Sequence, residues 1–317
     1  MKISLIICTY NRCQILGRTL SSVANSELVP SVTWEVVVVD NNSTDATKKI
    51  VEEFCLGHPG RFRYVFESEP GKSHALNSGV RAATGDILAF TDDDVIVGRT
   101  WLQNLTAPLK HGNYAGVGGP TLLEPGFTPP KWLAVNDRHS LAPLAGFSPA
   151  RAAGPLKEGL IGANMAFLRR VFSKYGGFRT DLGPQADTRQ PQKAEDSEFC
   201  QRLLAAGETL FYEPSAVVYH PVPEARLTRK HFLAWWYDKG RSEIRAFGIP
   251  GDTQFFLAGI PAYYFPRLVN SALRWAFAIS PSRRFSNRIQ LWYVAGAISG
   301  CLSQHRQSAT ELRRLKN

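Results

Sequence analysis

Four apolar runs, Ile3–Cys8, Trp34–Val39, Phe62–Phe66 and Ile87–Thr91, alternate with helix-spaced segments at Leu16–Ala24, Lys48–Phe54 and Ala75–Ala83. This alternation is the strongest constraint the chain places on its own fold. A continuous apolar strand must be buried on both faces, and parallel neighbours need a helical crossover between them. The pattern predicts an α/β fold with a mostly parallel central sheet flanked by helices. Ser43 or Thr44 is the expected cap of the second helix. Further on, Gly112–Arg151 is rich in Gly and Pro and reads as a long connection with one strand, Ala115–Leu122. Leu160–Leu168 returns to a strand or strand–helix junction. Asp196–Ala206 reads as a short helix stopped by Gly207, and Thr209–Tyr212 and Ala216–Tyr219 as closing strands.

Ligands of an open parallel sheet bind beyond the carboxyl ends of its strands. Those ends hold the polar clusters of this chain: Thr9-Tyr10-Asn11-Arg12, Asp40-Asn41-Asn42-Ser43-Thr44-Asp45 and Asp92-Asp93-Asp94. Adjacent carboxylates repel one another unless a cation lies among them. Mg2+ or Mn2+ takes carboxylate oxygens, often one or two together with substrate phosphates, and such an ion stabilises a departing diphosphate. Alone, an acidic triplet reads as a solvated turn; in register with two other polar strand ends it favours a metal–phosphate site. Neither G-x-x-x-x-G-K-[ST] nor a G-x-G-x-x-G after the first strand is present. Phosphates therefore fall to a metal and to basic side chains. Arg12 and Lys72 are the candidates, with a structural role as the even alternative for Lys72.

Several motifs in order carry a family resemblance. Ile7-Cys8-Thr9-Tyr10-Asn11-Arg12 is followed by Val39-Asp40-Asn41-Asn42-Ser43-Thr44-Asp45, then by Gly71-Lys72 with Ala75-Leu76-Asn77-Ser78-Gly79, then by Thr91-Asp92-Asp93-Asp94. Gly162-Ala163-Asn164-Met165-Ala166-Phe167, Gly176-Gly177-Phe178 and Glu195-Asp196 with Arg202 and Gly207 continue the series. Over residues 1–220 the chain resembles family 2 glycosyltransferases. The resemblance implies the GT-A fold and transfer of a sugar from a nucleotide diphosphate to an acceptor hydroxyl, with inversion. Carried over by motif, Thr9, Tyr10, Arg12, Asp40, Asn42, Lys72, Asn77, Asp92 and Asp93 fall on the nucleotide-sugar side, Thr9 and Asp40 at the base or ribose. Asp92 and Asp94 match the outer positions of D-x-D, with Asp94 favoured as the direct ligand of Mn2+ or Mg2+. Gly162, Asn164 and Glu195 fall on the acceptor or sugar side.

Asp196 is the implied catalytic base. A carboxylate beside the acceptor hydroxyl can take its proton as the new C–O bond forms, and a helix start favours negative charge. An ordinary acidic pair at a helix N-terminus is the plainer alternative. His220, after the last strand, is either an extra metal or phosphate contact, as in some members of this fold, or a structural histidine. Processive relatives carry Q-x-x-R-W. Here Gln201-Arg202-Leu203 has no such continuation, which implies single additions.

The formal net charge of +10 is unevenly placed: residues 1–225 hold 22 Lys+Arg against 23 Asp+Glu, and residues 226–317 hold 15 against 4. The expected division is a catalytic domain over 1–225 and a helical, basic and aromatic C-terminal extension over 226–317. In that extension Phe255–Phe265 and Leu291–Leu302 are strongly apolar, among Arg267, Arg274, Arg283, Arg284 and Arg288 and beside Trp275, Trp292 and Tyr293. With no run of the ~18 apolar residues a spanning helix needs, the region reads either as an element lying on an anionic membrane surface or as a helical lid. The expected partners are a nucleotide-sugar donor, a saccharide or lipid-linked acceptor and such a membrane surface. Nucleic acid is not an expected partner, because the sheet lacks interleaved basic and aromatic residues; a nucleic-acid binder is the remaining alternative that the basic pI suggests, and steep salt-dependent binding to DNA or RNA would revive it. Five scattered cysteines without C-x-x-C, and an N-terminus unlike a signal peptide, imply a cytoplasmic protein; on the membrane reading of the basic extension, it lies peripherally on the inner face of the plasma membrane. A nucleotidyltransferase is the competing enzyme, but it needs a Gly-rich basic signature at strand one. A non-catalytic membrane-bound scaffold would tolerate Asp196→Asn.

Overall fold

The layering follows from the first two strands. In the computed structural model, which describes residues 1–111, 113–133, 141–144, 146, 152–185 and 193–314, Ile3–Thr9 (β1) and Trp34–Asp40 (β2) pair in parallel. Their side chains are buried on both faces. Side chains alternate across a strand. Ile3, Leu5, Ile7, Val36 and Val38 share one core with Leu16, Leu20 and Val23 of Cys13–Ala24 (α1) and Val51 of Thr47–Gly57 (α2). Ile6, Val37 and Val39 belong to a second core with Ala75 and Leu76 of Lys72–Ala82 (α3) and with Phe167, Phe172, Phe178 and Phe199. Each aliphatic side chain so buried contributes about 1.5–3 kcal/mol. A one-residue slip would exchange the two sets, so the register is strongly determined.

Phe62–Phe66 (β3) and Ile87–Asp92 (β4) complete a parallel quartet. After the short strand Ile96–Val97 (β5) and the helix Trp101–His111 (α4) come Gly116–Gly118 (β6), Thr121–Leu123 (β7), Gly154–Leu156 (β8) and Met165–Leu168 (β9). Arg169–Tyr175 (α5), Glu195–Ala205 (α6), Leu210–Tyr212 (β10) and Val218–His220 (β11) follow. The main sheet runs β3-β2-β1-β4-β9-β6-β10-β8, and β9 enters antiparallel to both β4 and β6. A second sheet, β5-β11-β7, carries His220 at its end. The expected α/β sheet flanked by helices is present.

Three local expectations are corrected. The strand expected over Ala115–Leu122 is two strands in two sheets, β6 and β7. The break falls at Gly119-Pro120, where a Cβ on Gly119 would stand 2.1 Å from the Ala216 carbonyl oxygen and proline has no N–H for a ladder. Neither Ser43 nor Thr44 caps α2; the cap position is Ala46, and the Ser43 hydroxyl instead accepts the Asn11 N–H. The apolar stretch Phe255–Phe265 is not helical at its start. Phe256–Leu257 (β12) and Ile260–Pro261 (β13) form a hairpin turned by Ala258 and Gly259, both at positive φ, as a type I′ turn requires. Of the long connection expected over 112–151, residues 112, 134–140, 145 and 147–151 lie outside the described residues.

Contacts divide the chain into two units: Met1–Phe127, Leu144–Thr188 and Glu195–Val222 in the first, Thr128–Pro143, Arg189–Ala194 and Pro223–Asn317 in the second. The second is built on Arg229–Phe247 (α7), Tyr264–Phe277 (α8) and Pro281–Arg314 (α9). Thr228 caps α7 by accepting the His231 N–H, and Gly248 at φ 72 closes it. Ile244, Ile260, Tyr264, Val294, Ala297 and Cys301 form its core. The α7 and α9 backbones meet at glycines: a Cβ on Gly240 would lie 2.2 Å from the Tyr293 carbonyl oxygen, and one on Gly296 would lie 1.9 Å from that of Tyr237. Gly296→Ala is therefore expected to cost about 1–3 kcal/mol by overpacking, read as a lower denaturation midpoint of the full chain. Gly57→Ala, whose Cβ meets nothing within 4 Å, should leave the midpoint unchanged or raise it.

Candidate active site

The site begins with strand register. Thr9 lies beside Asp40 and Cys8 beside Asp92, so three polar strand ends finish along one edge of the sheet. Hydrogen bonds then join the loops beyond. Asn11, at φ 50, donates its N–H to the Ser43 hydroxyl and accepts the Thr44 N–H on its side-chain oxygen. Asn42 is also at positive φ, at 66°. Asparagine tolerates that region better than other side chains with a Cβ. Tyr10, 40% exposed, and Asn42 stand open to solvent, whereas Thr9 and Asp40 are buried. Asp40 accepts the Ser43 N–H on one oxygen and the Tyr64 hydroxyl on the other, each at 2.9 Å. Burial first, and the bond to Asp40 next, hold the Tyr64 hydroxyl protonated well above the usual phenol range.

At the end of β4 the carboxylates are paired with two cations. The Arg12 guanidinium donates to Asp94 Oδ2 at 2.6 Å and lies 3.7 Å from Asp93 Oδ1. Burial pushes the Asp93 carboxyl up to about 6, against the opposing pull of Arg12. The Lys72 ammonium donates to Asp92 Oδ1 at 2.7 Å and lies 3.7 Å from Glu195 Oε1. Burial alone would lower the Lys72 pKa, but Asp92 and Glu195 outweigh it and keep the ammonium charged. Glu195, at the start of α6, is buried, and that burial raises its carboxyl above the usual range while Lys72 pulls the other way. Asp196 is half-buried. Its Oδ2 accepts the Gly162 N–H at 2.9 Å and its Oδ1 accepts the Ser197 N–H at 2.6 Å. A Cβ on Gly162 would stand 3.3 Å from Asp196 Oδ2 and 3.6 Å from Lys72 Nζ. Lys72 thus lies between the aspartates of β4 and the acidic start of α6.

His220 faces this cluster from the second sheet. It is buried, with Nε2 3.2 Å from Asp94 Oδ1, and Nδ1 donates to the Pro221 carbonyl oxygen at 2.8 Å. That bond leaves Nε2 turned toward a carboxylate oxygen. Two acceptors at this spacing need a proton or a cation between them, and an Nδ1–H anchored on a backbone carbonyl commonly orients a metal-ligating imidazole. Among the described residues no group of three or more His, Cys, Asp or Glu side chains closes a complete metal cage. A hard divalent ion that keeps water and phosphate oxygens needs only one or two carboxylates. Asp94 and His220, with Asp92 nearby on the same turn, fit such an ion.

Two of the candidate residues are engaged within the protein. Asn164 is wholly buried: its side-chain oxygen accepts the Trp101 indole N–H and its amide donates to the Pro120 and Ala216 carbonyls. It ties the start of α4 to the segments that lead into β7, β11 and β9. Asn77 donates its side-chain N–H to the Phe178 carbonyl and accepts the Phe178 N–H on its side-chain oxygen, which braces α3 to that loop. Two site residues escaped the sequence analysis. Tyr64 lies in a strand that carries no motif. Asn41, within a motif, accepts the Gly71 N–H and donates to the Glu67 and Glu69 carbonyls, fixing the turn that presents Lys72.

Comparison with known proteins gives a consistent picture. Residues 4–176 match the sequence model of Glycosyl transferase family 2. The chain is 32% identical to the succinoglycan biosynthesis protein ExoM of Rhizobium meliloti, over 95% of its own length and 93% of that protein. It is 26% identical to the glucosyl-dolichyl phosphate glucuronosyltransferase of Haloferax volcanii, over 71% of each. The mannosyltransferase PcManGT from Pyrobaculum calidifontis, solved in complex with GDP-Man and Mn2+, superposes with a TM-score of 0.65 at 21% identity. The match spans 94% of this chain and 86% of that one, a likeness of fold.

The buried Glu195 makes a prediction about pH. Its folded pKa lies above the ordinary 4.5, so folded Glu195 keeps its proton at pH values where the unfolded chain has lost it. Its favourable contribution is complete below 4.5 and is lost as pH rises through the raised value. The melting temperature of Glu195→Gln, relative to the parent, should therefore rise between pH 5 and pH 8. A difference independent of pH would show that Glu195 is not held protonated.

Proposed function

This chain belongs to glycosyltransferase family 2, has the GT-A fold and transfers a glycosyl group from a nucleotide sugar to an acceptor; we propose that Asp196 is its catalytic base and that it adds one sugar with inversion. The observation that carries this is the run of contacts from Asp92 through Lys72 to Glu195, with Asp196 Oδ2 held by Gly162 beside it. Two backbone N–H donors hold the Asp196 carboxylate in one orientation. It takes the proton of the acceptor hydroxyl as that oxygen bonds to the anomeric carbon, while the bond to the diphosphate breaks on the opposite face. Thr9, Tyr10, Asp40 and Asn42 serve the nucleoside end, and Arg12 and Lys72 the phosphates. A divalent ion, Mn2+ or Mg2+, held by Asp94 and His220 with Asp92 near, would supply positive charge against the leaving diphosphate.

A saccharide or lipid-linked acceptor is supported by relatives named for succinoglycan synthesis and for a dolichyl phosphate glycan. Contact with an anionic membrane surface is supported by the second unit. Residues 253–310 contain six arginines and no carboxylate. Along α8, Val269, Leu273 and Phe277 are exposed at four-residue spacing, followed by Ile279 at 98% exposure. No helix among the described residues is long and apolar enough to cross a membrane, so the reading is of an element lying in the interface.

In a donor screen with Mn2+ that measures release of free nucleoside diphosphate, Asp94→Ala should abolish metal-dependent release. Asp196→Asn should retain donor binding and lose about 10²–10⁴-fold in transfer; unchanged transfer would exclude it as the base. In flotation with phosphatidylglycerol vesicles, the full chain should rise with the lipid and Leu273→Glu with Phe277→Glu should not. Equal recovery of both with neutral and anionic vesicles would remove the membrane reading.

A further inference from the structure

Arg12 and Lys72 both neutralise aspartates of the same strand end, but they are held differently. Lys72 lies between two carboxylates, Asp92 and Glu195. Arg12 reaches in from the solvent side, its side chain 35% exposed, to the Oδ2 of Asp94, whose own side chain is 9% exposed. Asp94 Oδ1 faces His220, so the guanidinium covers the oxygen on the other side of the carboxylate.

We infer that Arg12 is the resident counter-ion of Asp94, holding the carboxylate while the donor site is empty and yielding it when a divalent ion arrives together with a diphosphate. The inference rests on the metal site proposed above. A dication approaching Asp94 alone must displace a charge-assisted hydrogen bond and meets a like charge at short range. Displacement of that bond weakens binding of the free ion by about tenfold or more. A diphosphate reverses the balance, because the released guanidinium finds phosphate oxygens that suit its planar fork. Ion and diphosphate therefore strengthen one another reciprocally. The empty site keeps its carboxylates compensated and takes up free divalent ions poorly.

The test is binding of Mn2+ to the full chain, followed by calorimetry and by the electron paramagnetic resonance signal of the free ion, first with Mn2+ alone and then with preformed Mn2+–pyrophosphate. Arg12→Met should bind Mn2+ alone about tenfold more tightly than the parent and Mn2+–pyrophosphate more weakly. A damaged site would weaken both, so the opposite signs carry the result. Arg12→Lys, which keeps a cation, should stay weak for Mn2+ alone. Arg12→Gln repeats the comparison should the methionine variant not fold. Unchanged or weaker binding of Mn2+ alone by Arg12→Met and Arg12→Gln overturns the exchange. The Asp94→Asn change, added to Arg12→Met, separates this from the reading beneath it. If Mn2+ binding persists without Asp94, or is absent from every variant even with pyrophosphate, the metal site itself is wrong.

Discussion

The organisation of the site depends on compensation of charge at the end of one strand. Asp92, Asp93 and Asp94, with Glu195 and Asp196 beside them, would repel one another in a setting that is largely buried. Two cations hold them. Lys72 connects Asp92 to Glu195, and Arg12 reaches Asp94. Each comes from the first residues after a parallel strand or from the start of the helix that follows, so the same strand–helix units that build the sheet deliver both signs of charge to its edge. Lys72 joins the strand that ends at Asp92 to the helix that begins at Glu195.

The apolar layers make this arrangement rigid. Both faces of β1 and β2 are buried, and the alternate sets of Ile and Val meet different helices. The register that satisfies both faces also sets Thr9 against Asp40 and Cys8 against Asp92. Side-chain amides then fix the loops and the strands around them. Asn11 joins two loops, Asn41 shapes the turn before Lys72, Asn77 holds the Phe178 backbone and Asn164 ties both sheets together. Of these, Asn77 and Asn164 stand in motif positions that read as ligand contacts in sequence, yet their hydrogen-bonding groups are turned inward to partners within the protein.

The second unit follows other rules. Its apolar core is small, and α7 and α9 approach through Gly240 and Gly296 at backbone contact distance. Such an approach is possible only without a Cβ. Large apolar side chains on α8 and on the β12–β13 hairpin remain exposed among arginines, a surface that burial within the unit does not explain.

Local pattern determined a good deal of this protein on its own. The period of the apolar residues requires buried parallel strands with helical crossovers, and chain geometry then sends the polar ends of β1, β2 and β4 to one edge. Tertiary structure decided the rest, because partners far apart in the chain meet only once the layers close. Tyr64 is a strand residue like its neighbours until Asp40 lies opposite its hydroxyl. His220 becomes part of the site only because a second sheet carries it to Asp94. Ala115–Leu122 has the composition of one strand, but the Ala216 carbonyl pressed against Gly119 divides it between two sheets. Residue type and spacing set what each side chain can do; which partner reaches it first is settled by packing.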